Sequence, residues 1–205
     1  MSGSRPEDLS DADLVTAARR GSRRDLEILL RRHQPRLYAL CRRLAADPHD
    51  AEDGCQQALI AIVRGLDSFD GRSAFSTWAY RVTTNSCLDE LRRQRRRPEP
   101  RLPDDDTGLG AVHSVSGAPI DDGVALRLDI DAALATLPME FRAAVVLRDL
   151  CGLSYHEIAE ALDIAPGTVR SRIARGRSAL ALVLAPHGTP REGGNNPAPS
   201  DRQTR

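Results

Sequence analysis

The stretch SYHEIAEALDIAPGTVRSRIARGRSAL, residues 154–180, constrains the fold most, because it contains start and stop signals for two short helices. Ser154 is followed three residues later by Glu157, the pattern of a capping box that satisfies free amides at a helix start. The segment DIAP interrupts the first helix. Pro166 suits the first turn of a second helix, where its missing N–H would have no partner. Two short helices joined by so tight a turn predict a helix-turn-helix.

The second of these helices has two contrasting faces at 100° per residue. The face predicted to pack inward consists of Val169, Ile173, Gly176, Leu180 and Leu184. The opposite face consists of Arg170, Ser171, Ala174, Arg175 and Ser178, with Arg172 and Arg177 at its two edges. Arginines among small residues can reach the major groove and bind guanine, whereas arginines at the edges suit phosphates. A merely solvated basic face would normally include glutamates as i,i+4 partners, and this helix has none. The pattern therefore favours DNA contact.

The rest of the chain also indicates an all-α fold. Ala, Leu and Arg dominate the composition, and residues 9–97 predict four helices at roughly 11–20, 23–45, 50–65 and 74–95. All 29 basic residues are arginine, so richness in arginine does not by itself indicate nucleic-acid binding. A further helix is predicted to start at Pro138 and to stop at Gly152, before the helix-turn-helix.

Aromatic residues are scarce, yet Phe69, Phe75, Trp78 and Tyr80 gather in SFDGRSAFSTWAY. On the predicted helix that follows, one face consists of Trp78, Arg81, Asn85 and Arg92. An aromatic ring, arginines and an amide on one surface suit single-stranded nucleic acid, which needs stacking, phosphate contacts and base-edge hydrogen bonds. The alternative is that Trp78 simply anchors the core.

The segment DPHDAEDGCQQALIAIV has acids at a predicted helix start, where they favour the helix dipole. That effect accounts for the three acids Asp50, Glu52 and Asp53 without any further role. Gln56 and Gln57 follow one turn later, beside an apolar stripe of Leu59, Ile62 and Val63, and this combination would also suit a protein-docking surface.

Two segments lack helical periodicity. Residues 98–123 carry one arginine and six acids among Pro, Gly and Ser, which predicts a disordered acidic linker between two helical domains. Residues 186–205 predict a disordered tail. The four cysteines lie far apart without metal-ligand spacing, so we expect structural thiols and neither a metal nor another cofactor. The chain has no apolar run of membrane-spanning length and no signal-peptide core, which predicts a cytoplasmic protein.

Residues 9–97 and 124–185 together resemble the two modules of extracytoplasmic-function (ECF) sigma factors of the sigma-70 family. The segments that carry the likeness run from DAEDGCQQALIAIV to ELRRQRR and from LSYHEIAEAL to RGRSAL. The resemblance implies a region 2-like domain at 1–97, the linker at 98–123, a region 4-like domain at 124–185 and the tail at 186–205. It implies no enzymatic activity, because a sigma factor directs core RNA polymerase to promoter DNA and leaves the chemistry to the polymerase.

The resemblance also implies roles for individual positions. The positions that match the contact with the polymerase β′ clamp coiled coil are Asp50, Glu52, Asp53, Gln56 and Gln57. Phe69, the DGRSAF loop and Asn85 match the pocket for the −10 element, and Trp78 and Arg81 match the DNA-melting helix. The positions that match the reading of the −35 element are Arg170, Ser171, Ala174 and Arg175. Residues 138–150 match the surface that docks on the β flap, and the linker matches a segment that leads toward the RNA exit channel. An anti-sigma factor is a common partner in the family.

This chain departs from the family pattern at DGCQQ, at Asp163 in the turn, where glycine is usual, and at Ala174. Two other classes of protein share some of these features. A stand-alone repressor or activator would share the DNA-reading helix but would not need the aromatic cluster or the clamp-like acids. A thiol enzyme would need a His/Asp neighbourhood that no cysteine has in the sequence.

Overall fold

The computed structural model describes residues 9–96 and 130–185, and every regular element in these two ranges is helical. The first range forms four α-helices. They are α1 (Asp11–Arg19), α2 (Arg23–Leu44), α3 (Pro48–Gly65) and α4 (Phe75–Arg96), with a 3₁₀ turn at Leu66–Ser68 after α3. The four helices lie within two residues of the predicted bounds. The predicted linker at 98–123 and the predicted tail at 186–205 lie outside the described residues.

The second range contains helical residues 130–136, which we call α5, followed by three further helices. They are α6 (Met139–Asp149), α7 (Tyr155–Leu162) and α8 (Pro166–Leu184). The predicted capping box is present, since the Ser154 hydroxyl accepts from the Glu157 amide and the Glu157 carboxylate accepts from the Ser154 amide. Asp163 ends α7 in the left-handed conformation, with φ of 52°. Aspartate tolerates this region better than most residues, so the turn forms without the usual glycine.

The first domain is a helical bundle around a leucine-rich core. Leucines from α1 and α2 and an isoleucine from α3 are fully buried: Leu14, Leu29, Leu37, Leu40, Leu44 and Ile62. At Gly54, α3 approaches α4 closely, because a Cβ there would lie 3.1 Å from the Cys87 sulfur. The helices are therefore held together by the apolar faces that they bury in this core, and Gly54 allows α3 and α4 to approach closely.

In the second domain, α6 and α8 pack against each other at a glycine. A Cβ on Gly176 would lie 2.6 Å from the Val145 Cγ2 and 3.3 Å from the Phe141 carbonyl oxygen. The absence of a side chain at this position therefore sets how closely α8 approaches α6.

The two domains also pack against each other, α2 on α6 and α4 on α7. The buried Arg142 of α6 donates from Nη1 to the Leu44 carbonyl at the end of α2, over 2.8 Å. Its Nη2 donates to the carbonyls of Ala135 and Leu137, at 2.6 and 3.0 Å.

No helix among the described residues is both long enough and apolar enough to cross a membrane.

Candidate nucleic-acid interface

The first three turns of α8 are oriented as the sequence predicted, and its last turn is not. Val169, Ile173 and Gly176 are buried against the second domain, and the opposite residues Arg170, Ser171, Ala174 and Arg175 are exposed. Leu184 differs from its predicted inward position and is exposed, because it lies in the last turn of α8, where few neighbours remain to cover it. The result is a basic face with small residues between its arginines, which can approach a DNA groove closely.

The two edge arginines of α8 differ in their surroundings. Arg177 forms a paired contact with Asp149 of α6, in which Nε donates to Oδ2 over 3.1 Å and Nη2 donates to Oδ1. Arg172 lines a cleft between the domains with Glu140 and Leu162. Within the described residues, no ion pair involves Arg170 or Arg175. The structure therefore presents Arg170 and Arg175 outward, whereas Arg177 is tied to α6.

Tyr155, the first residue of α7, was missed by the sequence analysis. The Arg170 guanidinium lies 6.0 Å from the centre of the Tyr155 ring, and the Arg148 guanidinium lies 5.2 Å from it. Cation–π attraction at these distances orients an exposed arginine. The only sequence signal for this contact is the capping box, which fixes where α7 begins.

The aromatic cluster is a packed unit of the first domain. The ring centres lie 5.4 Å apart for Phe69 and Trp78, 5.6 Å for Phe75 and Trp78, and 5.8 Å for Phe69 and Phe75. Trp78 is only 6% exposed and Phe69 only 7%. The structure therefore does not place Trp78 on an open face with Arg81 and Asn85, because the three rings remove more apolar surface from water by packing together. Asn85 is exposed and Arg81 is half-exposed.

A second residue missed by the sequence analysis, Arg19, fixes the chain that leads into the DGRSAF loop. Its Nε and Nη2 donate to the Leu66 carbonyl over 3.0 and 2.8 Å, and Nη2 also reaches the carbonyls of Asp67 and Phe69. Its guanidinium lies 6.0 Å from the centre of the Phe69 ring. Because Arg19 and the loop are about fifty residues apart, no spacing in the sequence points to this contact.

The acidic start of α3 is capped by Asp47, whose carboxylate accepts from the amides of His49 and Asp50. Burial and the neighbouring Asp47 carboxylate raise the pKa of Asp50. Glu52, Gln56 and Gln57 are exposed, and Asp50 and Asp53 are partly covered. These acids and amides thus form one polar side of α3.

Apolar residues continue that side of α3. Ile60 is 43% exposed and Val63 is 42% exposed, whereas Ile62 is buried. Ile60 was missed as a surface residue, although it lies one turn beyond Gln56 and the i,i+4 spacing could have identified it. An exposed apolar pair beside exposed amides suits a protein partner better than water.

The second domain carries an apolar groove where α5, α6 and α8 meet. Its apolar lining consists of Ile130, Leu134, Val145, Val146, Leu150, Leu180 and Leu184. Leu150 and Leu184 are exposed at its rim. The groove includes part of the 138–150 segment that the sequence analysis assigned to the β flap.

The cysteines are free thiols. Cys41, Cys55 and Cys87 are buried where α2, α3 and α4 meet, and Cys151 is partly buried beside the first domain. Among the described residues, no group of three or more His, Cys, Asp and Glu side chains could hold a metal ion. The Cys55 thiol has its pKa lowered by a hydrogen bond from Cys41, which opposes the effect of burial.

Comparisons with known proteins match both domains. The family described as Sigma-70 region 2 matches residues 29–97, and the family described as Sigma-70, region 4 matches residues 127–180. The ECF RNA polymerase sigma factor SigM of Mycobacterium tuberculosis is 38% identical over 177 residues, covering 85% of each chain. SigE of Mycolicibacterium smegmatis is 43% identical over 161 residues, which are 78% of this chain and 62% of that protein's length.

A solved structure is also similar. It is the sigma factor RpoE of Bartonella quintana in complex with the anti-sigma factor NepR, with a TM-score of 0.62 and 26% identity. The match covers 78% of this chain and 96% of the RpoE chain.

Proposed function

This chain belongs to the ECF sigma factors of the sigma-70 family, which direct RNA polymerase to promoters, and we propose which of its surfaces carry each step. The first domain, residues 1–97, would bind the polymerase clamp and the −10 element. The second domain, residues 124–185, would read the −35 element. The segment 98–123 between them would lead through the polymerase toward the RNA exit channel.

For the −35 element, the surface we propose is the exposed face of α8. Arg170 and Arg175 would bind guanine edges in the major groove, with Ser171 and Ala174 allowing close approach. Arg172 and Arg177 would contact phosphates at the edges. The contact between Arg177 and Asp149 supports a positioning role as well, since it ties α8 to α6.

For the −10 element, we propose that the DGRSAF loop and Asn85 hold a flipped base and that Arg81 contacts the separated strand. Phe69 and Trp78 would act beneath this surface, as the packed base that holds the loop and α4 in position. Their burial supports this division of roles, because a ring with almost no accessible surface offers little area for stacking on a base.

For the polymerase, we propose two docking surfaces. The side of α3 with Glu52, Gln56 and Gln57, extended by Ile60 and Val63, would hold the β′ clamp coiled coil, together with Asp50 and Asp53. The apolar groove of α5, α6 and α8 would receive the β flap. Both surfaces combine exposed apolar residues with polar neighbours, which is the usual composition of a protein interface.

An anti-sigma factor is a further proposed partner, supported by the likeness to RpoE, which was solved with NepR. The relatives are sigma factors, and we propose that this chain likewise has no catalytic activity of its own. It would act in the cytoplasm, where the polymerase transcribes the chromosome.

The observation that carries the assignment of surfaces is the outward face of α8, with Arg170 and Arg175 unpaired by acids among the described residues. The test is promoter-dependent transcription by core RNA polymerase with the purified chain, followed by mapping of transcript 5′ ends. Transcripts that start at defined sites only when the chain is present support the proposal. Uniform initiation with and without the chain contradicts it.

The same assay separates the rival functions. A stand-alone repressor would bind the mapped promoter without core polymerase and would not restore initiation. The matched pair is Arg175→Ala and Arg31→Ala, since both arginines are exposed and Arg31 lies on α2, outside the proposed binding surfaces. We expect the first to lower initiation and the second to leave it unchanged.

A further inference from the structure

We propose that His33 of α2 is a positioning residue for capture of the −10 base, because its ring, held by Asp11 of α1, supports the end of the DGRSAF loop. The proposal rests on the function proposed above for that loop and adds two residues to it. Neither His33 nor Asp11 lies on a surface assigned above to DNA or to the polymerase. His33 would act through Phe75 and would not touch the base itself.

His33 is a polar residue on the apolar side of α2. The imidazole is only 5% exposed, and its neighbours along this side of the helix, Leu29, Leu37 and Leu40, are fully buried. A leucine at position 33 would continue this side without burying a polar group. A buried imidazole costs free energy unless it finds hydrogen-bond partners. The role of His33 therefore depends on what its ring contacts.

One contact of His33 is the carboxylate of Asp11, the first residue of α1. The His33 Nε2 lies 2.8 Å from the Asp11 Oδ2. An ionised carboxylate can only accept hydrogen bonds, so Nε2 donates to it. The other carboxylate oxygen accepts from the Arg32 Nη1 over 2.7 Å, and the start of a helix favours a negative charge. Asp11 is thereby held in place, and it fixes the orientation of the His33 ring.

The other contact of His33 is Phe75, the last residue of the DGRSAF loop and the first residue of α4. The two ring centres lie 5.0 Å apart and the ring planes meet at 65°, an edge-on arrangement that is favourable between aromatic rings. Phe75 is only 4% exposed, and it also packs against Phe69 and Trp78. His33 is thus joined to the aromatic cluster, and its hydrogen bond to Asp11 ties that cluster to α1.

Helix α1 therefore holds the chain at both ends of the loop. Arg19, its last residue, donates to the backbone carbonyl just before the loop. Asp11, its first residue, acts through His33 on Phe75 at the end of the loop. The family match covers residues 29–97 and does not include α1. A pocket formed by a loop with fixed ends is ordered before the base arrives, and such prior order strengthens binding.

The alternative is that His33 only stabilises the first domain, and the two roles predict different measurements. A destabilised chain loses affinity for every DNA in proportion to its folded fraction, so the ratio of its affinities for two DNAs stays constant. A loosened loop instead loses affinity only for DNA that offers a base to capture. The quantity to measure is therefore a ratio of affinities.

The first experiment compares the wild type with His33→Leu, each as the full-length chain bound to core RNA polymerase. The probes are single strands with the mapped −10 element, either intact or with one base removed at a time. The base whose removal costs the wild type most affinity is the captured base.

We expect the ratio of affinities for the intact strand and for the strand without that base to fall about five- to tenfold in His33→Leu, since apparent affinity follows the fraction of loops in the competent state. The thermal midpoint should not fall, because leucine suits the apolar side of α2 and leaves no buried polar group. An unchanged ratio in His33→Leu overturns the positioning role, whatever its thermal midpoint.

A double-mutant cycle tests whether Asp11 acts through His33. Asp11→Ala should lower the same ratio in the wild-type background and leave it unchanged in the His33→Leu background, because coupled residues are not additive. Glu27→Ala is the matched control, since Glu27 is an exposed acid that pairs with Arg31 within α2. An equal effect of Asp11→Ala in both backgrounds, or an equal effect of Glu27→Ala, overturns the path through His33.

A further measurement needs neither DNA nor polymerase. Trp78 is the only tryptophan of the chain, and its ring centre lies 5.6 Å from that of Phe75. We expect acrylamide to quench the Trp78 fluorescence about two- to threefold more strongly in Asp11→Ala and in His33→Leu, because the cluster opens more often. Equal quenching in the wild type and in both variants overturns the anchoring of the cluster.

These measurements distinguish the role of His33 from the function of the loop. If the loop does not capture a base, the wild type should bind the intact strand and every strand that lacks a base equally well. That result contradicts the proposed function and with it any role of His33 in capture. If instead the wild type and His33→Leu discriminate equally, only the inference about His33 fails. The quenching measurement is independent of both outcomes, because it reports only whether the aromatic cluster is held.

Discussion

At the scale of single residues, the arginines near the proposed DNA-binding surfaces differ in the groups that they contact. Arg177 is paired with Asp149, and Arg81 with Glu160. Arg19 is bound to backbone carbonyls beneath the DGRSAF loop. Arg170 and Arg175 point outward on α8. The same residue type therefore joins two helices, supports a loop or stays exposed to solvent, according to its partner.

Replacing Arg170 or Arg175 with alanine should weaken binding to the cognate −35 element by about 1–3 kcal/mol and relax preference at one base pair. The reason is the loss of a bidentate contact to a base edge. Arg172→Ala and Arg177→Ala should instead lower affinity evenly across sequences and reduce its salt dependence. Binding of the holoenzyme to matched and scrambled −35 duplexes measures both. Equal losses on the two duplexes for all four variants would show that α8 does not read bases as proposed.

Arg19→Ala should lower the free energy of unfolding by about 1–2 kcal/mol, because carbonyls of the turn at Leu66–Phe69 lose a charged donor. It should also weaken capture of the −10 base, because the loop loses its support. Thermal unfolding measures the first effect, and oligonucleotide binding by the holoenzyme measures the second. Arg20→Ala is the matched control, being exposed at the next position. If it behaves like Arg19→Ala, the contact to the loop is irrelevant.

At the scale of helices, each of the two faces that we propose to bind DNA depends on close packing at one buried residue. The face of α8 depends on Gly176, where α6 leaves no room for a side chain. The face of α4 depends on Trp78, whose ring packs against both Phe69 and Phe75. Substitutions at these two buried positions should therefore displace or loosen the exposed face of α8 or α4 without changing any residue of that face.

Gly176→Ala should destabilise the second domain by about 1–3 kcal/mol from overpacking, offset in part by about 0.5–1 kcal/mol of better helix propensity. The net loss arises because the Val145 methyl and the Phe141 carbonyl are both in the way. Chemical denaturation measures it. Gly167→Ala is the control, since a Cβ there meets nothing within 4 Å. A Gly176→Ala protein as stable as Gly167→Ala would contradict the packing.

Trp78→Ala and Asn85→Ala should separate packing from strand opening on α4. Removing the buried Trp78 ring should cost about 3–5 kcal/mol of stability, whereas removing the exposed Asn85 amide should cost little. Asn85→Ala should still bind core polymerase and the −35 element. It should lose permanganate reactivity of thymines near the −10 element, and a mismatched template should rescue it only in part. Full opening by Asn85→Ala would exclude this residue from base capture.

At the scale of the whole molecule, Arg142 joins both domains, because its guanidinium binds carbonyls from α2 and from the segment before α6. A buried arginine with these partners couples the stability of the two bodies. Two ion pairs also cross the interface, Arg43 with Asp131 and Arg81 with Glu160, and salt weakens such pairs.

Arg142→Ala should therefore cost about 1–3 kcal/mol for the carbonyls left buried without a donor, and it should uncouple the two domains. In calorimetry we expect one cooperative transition in the wild type and two in the variant. Arg175→Ala, which removes an exposed arginine of the second domain, is the control. Two transitions already present in the wild type would show that the domains unfold independently.

The sequence alone predicted the helices, the turn and the orientation of α8, because these depend on local signals. Capping residues, a proline at a helix start and a period of 3.6 residues act within a few positions of the chain. The resemblance to ECF sigma factors rested on the same two segments. The roles proposed for individual site residues remain predictions.

Only the tertiary structure decided which side chains of these helices are available. It buried Trp78, paired Arg177 with α6 and Arg81 with α7, and brought Arg19 to a loop far along the chain. Each of these outcomes depends on which helix packs against the residue. The residue's neighbours in sequence do not determine that packing partner. Local sequence could therefore place a side chain on a face of its helix, whereas packing between distant helices determined whether that face meets solvent, a core or the other domain.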